Sequence, residues 1–350
     1  FLESGSLLFA MDRSAAEDDA ENFWNLYISE GGQVRPLSKE LAEFGEAHWV
    51  FGQQRWVQVD DSRIIAVRTA NESDTLVEFK LRTGDARLLG EPCARLSQLS
   101  SRDGAMLCIA EHVDRPQEIV EVTPDTGVSV LRSEDPWLDS GQVSRPRVVP
   151  YPTRDGETAW ANYYPGASQF AGEVPSLLVL VHGGPTSRAD TALKPLVQYF
   201  AQNGFSVLDV NHRGSTGHGR AYRQALLGQW GEIDATDVAD AISHIIDKEG
   251  LDARRVFIRG GSAGGYAVLR ALTRYPELFC GGACYYGIGN LITLSEITHK
   301  FEGRYTDRLI GEVYTAQSAA RPGSLFRARS PIFDIDRIRS PLILFQGLED

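Results

Sequence analysis

The chain has 350 residues, of which 42% are hydrophobic and 23% are charged, and its formal net charge is −12. That length allows two domains or one large one, and no apolar run approaches the roughly 20 residues that span a membrane, which argues against an integral membrane protein. The acidic balance argues against nucleic acid as a partner, because phosphate binding needs clustered Lys and Arg.

The charges are unevenly distributed along the chain. Residues 1–140 hold 26 acidic and 13 basic side chains, whereas residues 141–350 hold 21 acidic and 22 basic ones. A change this abrupt predicts two domains that meet near residue 140.

Residues 1–140 are predicted to form repeated β-strands. Three segments share an apolar strand, a glycine-containing turn and a second apolar strand: residues 24–34, 76–86 and 118–128, with turn glycines Gly32, Gly84 and Gly127. A further apolar strand precedes each hairpin, at residues 7–11, 64–67 and 105–109. This pattern is typical of β-propeller blades, with a β-sandwich as the alternative. Three blades cannot close a ring of the usual four to eight, so a propeller would need further blades upstream of Phe1.

The four cysteines carry little chemical information. They show no zinc-ligand spacing and are too few for a disulfide scaffold: Cys93, Cys108, Cys280 and Cys284. We interpret them as small buried side chains in a reducing environment, which favours a cytoplasmic location. The chain begins with Phe1 rather than Met, so the absence of a targeting segment decides little about location.

Beyond residue 140, strands and helices alternate. The predicted strands are residues 177–181, 205–210, 256–258, 281–286 and 342–345, and the predicted helices are residues 191–203, 234–249 and 263–274. Such alternation over 200 residues is typical of a doubly wound, mostly parallel sheet. The helix at 234–249 carries three carboxylates, Asp234, Asp237 and Asp240, which we interpret as a solvated helix cap rather than acid–base machinery.

One turn of this sheet carries a nucleophile motif. Gly260-Gly261-Ser262-Ala263-Gly264 fits G-x-S-x-G and lies between a predicted strand and a predicted helix. A nucleophile elbow needs small flanking residues because the serine occupies a strained, tight turn. The helix that follows supplies a free backbone N–H at Ala263. The sequence therefore predicts Ser262 as a nucleophile.

A second turn supports this assignment. His182-Gly183-Gly184-Pro185 directly follows the first buried strand of the domain, where α/β-hydrolases place the other oxyanion-hole donor. We expect the oxyanion hole to be formed by Gly184, with Gly183 as the alternative, and Ala263. His182 precedes the serine, against the chain order of that fold, and is interpreted as structural.

The catalytic acid is expected after a later strand, because the chain order is serine, acid, histidine. Asp350 follows the strand at 342–345, and Glu349 is the competing candidate. Every histidine of the chain precedes Asp350: His48, His112, His182, His212, His218, His244 and His299. None suits the base by chain order, so we expect the catalytic histidine downstream of Asp350 and the 350-residue chain alone to be inactive.

These motifs together resemble the catalytic domain of the prolyl oligopeptidase family of serine peptidases, nearest to the dipeptidyl aminopeptidases and acylaminoacyl peptidases. The resemblance covers residues 145–350 and rests on the turns at 182–185 and 260–266, residues 211–217, Trp230-Gly231 and residues 347–350. It implies a partial β-propeller of about three blades over residues 1–140, followed by an α/β-hydrolase domain over residues 141–350. It also implies that both ends of the chain are cuts within a longer protein.

The resemblance further implies acyl transfer to Ser262, oriented through Asp350, on short peptides that a propeller selects, with no metal or organic cofactor. Tyr285 and Tyr286 end a strand at the same sheet edge and are expected either to bind substrate or to pack in the core. An esterase-like acyl hydrolase and a non-catalytic binding protein remain alternatives. A homo-oligomer is compatible with the sequence.

Overall fold

The structure, a computed structural model, describes residues 1–12, 22–47, 49–167, 174–300 and 302–349. The chain divides into two compact units. One contains Phe1–Val143 together with two short stretches, Asp190–Lys194 and Thr216–Ala221. The other contains Ser144–Ala189, Pro195–Ser215 and Tyr222–Asp350.

The first unit contains three antiparallel sheets. One has three strands: β1 (Leu7–Met11), β2 (Asn25–Glu30) and β3 (Gln33–Pro36). The next has four: β4 (Trp56–Asp60), β5 (Arg63–Ala70), β6 (Ser73–Lys80) and β7 (Ala86–Cys93). The third also has four: β8 (Arg95–Arg102), β9 (Ala105–Glu111), β10 (Glu118–Thr123) and β11 (Gly127–Ser133). The hairpin glycines Gly32, Gly84 and Gly127 have φ of 81°, 76° and 77°, values that glycine adopts without strain.

The middle sheet is buried on both faces. Ile64 and Ala66 of β5 belong to an apolar cluster with Phe44 of the first unit, whereas Ile65 and Val67 belong to a second cluster that contains strands of the third sheet. Because successive strand residues point to opposite faces, one strand contributes to two cores. The sequence did not predict β4 and β8, since β8 alternates few apolar side chains with many polar ones.

The second unit is built on a seven-stranded mixed sheet. Its strands are β12 (Arg147–Pro152), β13 (Thr158–Tyr164), β14 (Ser176–Val181), β15 (Phe205–Asn211), β16 (Val256–Gly261), β17 (Gly281–Tyr285) and β18 (Leu342–Phe345). They lie in the order β12-β13-β15-β14-β16-β17-β18. The five strands from β15 to β18 pair in parallel, and β12 and β13 are added antiparallel. The predicted mostly parallel sheet is thus correct, but the sequence analysis predicts neither β12 nor β13. Pro150 and Pro152 argue against a strand at β12, and proline is tolerated there because β12 is an edge strand.

The described residues contain eight α-helices: α1 (Pro195–Gln202), α2 (Gly219–Gln224), α3 (Ile233–Glu249), α4 (Ala263–Arg274), α5 (Leu291–Ile297), α6 (Tyr305–Ile310), α7 (Ala316–Ala320) and α8 (Leu325–Ala328). A 3₁₀ helix covers Pro331–Arg337. The bounds of α4 agree with the prediction. The helix predicted from residue 191 begins only at Pro195, because Asp190–Lys194 are part of the first unit.

The carboxylates of α3 are not a solvated cap, which corrects the interpretation from sequence. Asp237 is fully buried and binds the Arg213 guanidinium through contacts of 2.6 Å to Nη2 and 3.1 Å to Nε, and it also accepts the Arg213 backbone N–H. Asp234 is buried and accepts the Gly231 N–H. Asp240 is partly buried and pairs with the exposed Arg154. Buried charge is tolerated here because Asp237 has a bidentate partner.

The burial expected for the four cysteines is found for three of them, at least in part. Cys108 and Cys284 are buried and Cys93 is half-buried, but Cys280 is exposed, so the expectation of burial was wrong for that residue. Burial raises the pKa of Cys93 and of Cys108 to about 12, which keeps both thiols protonated and unreactive. Across the described ranges, no helix has the length and apolar character needed to cross a membrane.

Candidate active site

Ser262 occupies a strained turn between β16 and α4. Its φ and ψ are 56° and −126°, a conformation that side-chain-bearing residues rarely adopt. The backbone holds it there, because the Ser262 N–H donates to the Tyr285 carbonyl at 3.0 Å and the Tyr266 N–H donates to the Ser262 carbonyl at 3.0 Å. The side chain is exposed. Strain of this kind persists where the surrounding structure enforces it, typically at functional sites.

The glycines of the motif allow the backbones to approach closely. A Cβ on Gly264 would overlap the Val181 carbonyl oxygen and lie 2.8 Å from the His182 carbonyl oxygen. A Cβ on Gly265 would lie 2.7 Å from the Gly287 Cα. The first turn of α4 therefore lies directly against the end of β14, and only glycine fits between them.

In the complete natural protein, replacing Gly264 by alanine is expected to lower kcat at least tenfold and to destabilise the fold by about 1–3 kcal/mol, because the new methyl group must push the end of β14 away from Ser262. Gly289→Ala is the matched control, since a Cβ there meets nothing within 4 Å. Kinetics and thermal unfolding of both variants measure the effect. Equal behaviour of the two variants would contradict the close packing.

The turn after β14 lies beside the nucleophile. A Cβ on Gly183 would be 3.6 Å from the Ser262 Cβ and 3.3 Å from the Gly261 carbonyl oxygen. Gly184 follows with φ of 120°, a conformation that favours glycine. On the other side of Ser262, Ala263 is the first residue of α4, so its N–H has no partner within the helix. The candidate oxyanion donors Gly184 and Ala263 thus come from two segments packed around Ser262.

His182 is bound through both of its ring nitrogens. Its Nε2 lies 2.8 Å from the Ser215 Oγ, its Nδ1 lies 2.8 Å from the Gly183 carbonyl oxygen, and its ring stacks on His212 at a centroid distance of 4.8 Å. Ser215 in turn donates to the His212 carbonyl. The motif at residues 211–217 gives no role to Ser215 in the sequence analysis. Ser215 and His182 are 33 residues apart in the chain, so no local pattern predicts their contact.

The side chains of Tyr285 and Tyr286 have different neighbours. The Tyr286 side chain is 55% exposed and its hydroxyl lies against Gly261, the residue before the nucleophile. The Tyr285 ring stacks on Phe345 at 4.5 Å, and the Arg259 guanidinium lies 4.3 Å from its centroid. Tyr285 also lines an apolar cavity of about 570 Å³.

The candidate acid lies outside the described residues, since these end at Glu349. Its strand can still be placed. Phe345 of β18 is in register with Tyr285, and Tyr285 is in register with Gly261. Parallel strands that end in register deliver the residues after them to one sheet edge. Glu349, the competing candidate, is exposed in the segment that follows β18.

The comparisons with known proteins agree on one family. Residues 192–350 match the model of the prolyl oligopeptidase family. The chain is 34% identical to dipeptidyl peptidase family member 6 of Caenorhabditis elegans over 224 residues, which cover 63% of this chain and 28% of that protein. It is 35% identical to dipeptidyl aminopeptidase BIII of Pseudoxanthomonas mexicana over 175 residues, 50% of this chain and 25% of the other.

Two solved structures resemble nearly the whole chain. A puromycin hydrolase has a TM-score of 0.89 at 30% identity, covering 99% of this chain and 52% of that one. A puromycin-hydrolyzing peptidase of Mycobacterium tuberculosis has a TM-score of 0.85 at 32% identity, covering 98% and 54%. The chain thus spans about a quarter of the length of these curated relatives and about half of these solved structures.

Proposed function

Residues 192–350 are a prolyl oligopeptidase family domain, as the sequence motifs predicted, and from this premise we propose that the protein is a serine peptidase that hydrolyses short peptides through an acyl-enzyme on Ser262. The observation that carries the proposal is the strained, exposed Ser262 packed against the Gly183–Gly184 turn. The relatives described above are named as peptidases and a hydrolase, which supports hydrolysis as the reaction class.

The proposed reaction begins with attack of the Ser262 Oγ on the scissile carbonyl. A histidine accepts the hydroxyl proton and passes it to the leaving amine, and water then hydrolyses the ester in the same manner. The N–H groups of Gly184 and Ala263 stabilise the negative oxygen of each tetrahedral intermediate. This mechanism requires no metal or organic cofactor.

We assign the remaining two roles by chain order. Asp350 orients the imidazole, because it follows β18 at the sheet edge where Ser262 emerges. The base is a histidine that follows Asp350 in the fold's order of serine, acid, histidine. His182 is unsuited to the role, since both of its ring nitrogens already contact protein oxygens.

The three antiparallel sheets of the first unit are proposed to be propeller blades. Burial of β5 on both faces supports this, because a blade within a propeller packs against a neighbour on each side. The acidic balance of residues 1–140 favours substrates with a free, positively charged amino terminus through long-range attraction. Tyr286, whose hydroxyl lies beside Gly261 of the elbow, is proposed to bind the residue before the scissile bond. Tyr285 stacks on Phe345 and lies beside Arg259, which favours the alternative of a packing role for that residue.

The substrate class is tested on the complete natural protein with chromogenic aminoacyl, dipeptidyl and N-acylaminoacyl amides, with puromycin, and with simple esters. We expect the amides with a free amino group to be cleaved fastest and kcat/KM to fall as salt rises, since salt screens the attraction. Faster cleavage of N-acylated amides would overturn the preference for a free amine. Cleavage of simple esters alone would favour the esterase alternative.

A further inference from the structure

The turn that contains the candidate oxyanion glycines is held at Thr186 by one tyrosine hydroxyl. Residues 183–186 connect β14 to the next segment without helix or strand, and Thr186 is buried. The Tyr305 hydroxyl lies 2.6 Å from the Thr186 Oγ1, within hydrogen-bond distance. This contact joins residues that are 119 positions apart in the chain.

Tyr305 is the first residue of α6, and the carbonyls of the last three residues of α6 accept hydrogen bonds from other segments. The Gly228 N–H donates to the Arg308 carbonyl at 2.9 Å, and the Trp230 N–H donates to the Leu309 carbonyl at 3.1 Å. The Arg329 Nη1 donates to the Ile310 carbonyl at 3.0 Å. Because the helix backbone is bonded to two other segments, the tyrosine at its start is a fixed support rather than a side chain on a loose loop.

Tyr305 also packs against the apolar cluster that contains Ala263, the second candidate oxyanion donor. Ala263 is buried in an apolar cluster with Trp230, Tyr266 and Leu309, and Tyr305 packs against the same cluster. Tyr305 therefore connects the turn that holds Gly184 to the cluster that holds Ala263.

We propose that Tyr305 is a positioning residue that sets the spacing of the two oxyanion donors, by fixing Thr186 and through it the Gly184 N–H. This inference rests on the proposed function of Ser262. Tyr305 acts through Gly184 and touches no reacting atom. Burial raises the pKa of Tyr305 to about 12, so its hydroxyl remains protonated and keeps this contact across the working range of pH.

A positioning role predicts a particular kinetic pattern. The oxyanion exists only in the tetrahedral states, so a misplaced donor lowers kcat while leaving KM nearly unchanged. Losing a donor outright costs about 10²–10³ in kcat, and displacing one costs less. We expect Tyr305→Phe and Thr186→Val each to lower kcat about tenfold, and the double variant to be no worse than either single variant, since both remove the same contact.

The test uses the complete natural protein with these three variants and Tyr314→Phe as the control. Tyr314 donates to Glu296 on a neighbouring exposed segment, so its variant is expected to match the wild type. Fluorophosphonate labelling should slow by the same factor as kcat, because the bound phosphonyl oxygen occupies the oxyanion site. A Tyr305→Phe enzyme with unchanged kcat, or one whose loss lies mainly in KM, would overturn the proposal.

Hydrogen–deuterium exchange separates this proposal from the proposed function. Tyr305→Phe should accelerate exchange in the peptide containing residues 183–186 whether or not the enzyme turns over. Faster exchange with an unchanged labelling rate would remove the positioning role and leave Ser262 as the nucleophile. Absence of Ser262 labelling in the wild type would instead refute the proposed function, and the oxyanion role of Tyr305 with it.

Discussion

Replacement of Ser262 by alanine is expected to abolish fluorophosphonate labelling of the complete natural protein and to lower peptide turnover by about 10⁶-fold, the scale of losses when a serine-hydrolase nucleophile is removed. The loss should be chemical rather than structural. Alanine retains the Cβ, so the strained backbone at φ 56° costs the same in both proteins. Thermal unfolding should therefore change little.

Ser295→Ala is the matched control for this prediction. Ser295 lies on α5 in the same unit, and its hydroxyl donates to the Leu291 carbonyl at 2.9 Å. That variant should be labelled at the wild-type rate. Labelling that survives in the Ser262→Ala protein would show that another residue is the nucleophile.

The second large effect is expected at Arg213, whose guanidinium is buried between two carboxylates. Burial alone would lower the pKa of Arg213, but hydrogen bonds to Asp237 and Asp155 raise it above its ordinary value. Arg213→Met would leave the fully buried Asp237 without its cation, at a cost of about 3–5 kcal/mol in the free energy of unfolding. Denaturant unfolding measures this change.

Two further variants make the Arg213 prediction specific. Arg154→Met removes an exposed arginine that also pairs with an α3 carboxylate, Asp240, and should cost at most about 1 kcal/mol. The double variant Arg213→Met/Asp237→Leu should recover much of the loss, because it leaves no buried charge unpaired. A double variant as unstable as Arg213→Met would show that the loss arises from packing instead.

The pH dependence follows from Asp237. Burial raises the pKa of this carboxyl above its ordinary value even beside Arg213, and removing the guanidinium removes an influence that lowers it. A group with a raised pKa in the folded state is destabilising once ionised, so its penalty is absent below the unfolded pKa of about 4 and grows as the pH rises. The deficit of Arg213→Met should therefore be larger at pH 8 than at pH 4.

Local patterns were sufficient for the elements around the nucleophile. Helix α4 was predicted with its observed bounds, because the glycines before Ala263 and the proline after Arg274 mark its ends within a few residues of sequence. The turn glycines Gly32, Gly84 and Gly127 were likewise identified from neighbouring residues, and all three have the positive φ that such turns require.

Burial of charge was not predictable in this way. The spacing of Asp234 and Asp237 is that of an ordinary helix face, which a solvated cap and a buried ion pair share. What distinguishes them is Arg213, 24 residues before Asp237 in the chain and on a different element. The edge strand β12 escaped prediction for a related reason, since proline forbids a central strand and permits an edge one, and strand order is a tertiary property.

The amino-acid sequence by itself therefore determined the uneven distribution of charge, the alternation of strands and helices, the nucleophile motif and the resemblance of residues 145–350 to the prolyl oligopeptidase family, because each depends on composition or on short motifs. Only the tertiary structure decided which separated residues meet: Gly183 with Ser262, His182 with Ser215, and Tyr305 with Thr186. Those contacts depend on how the strand ends and the helices pack together, and they set the geometry of the proposed oxyanion hole.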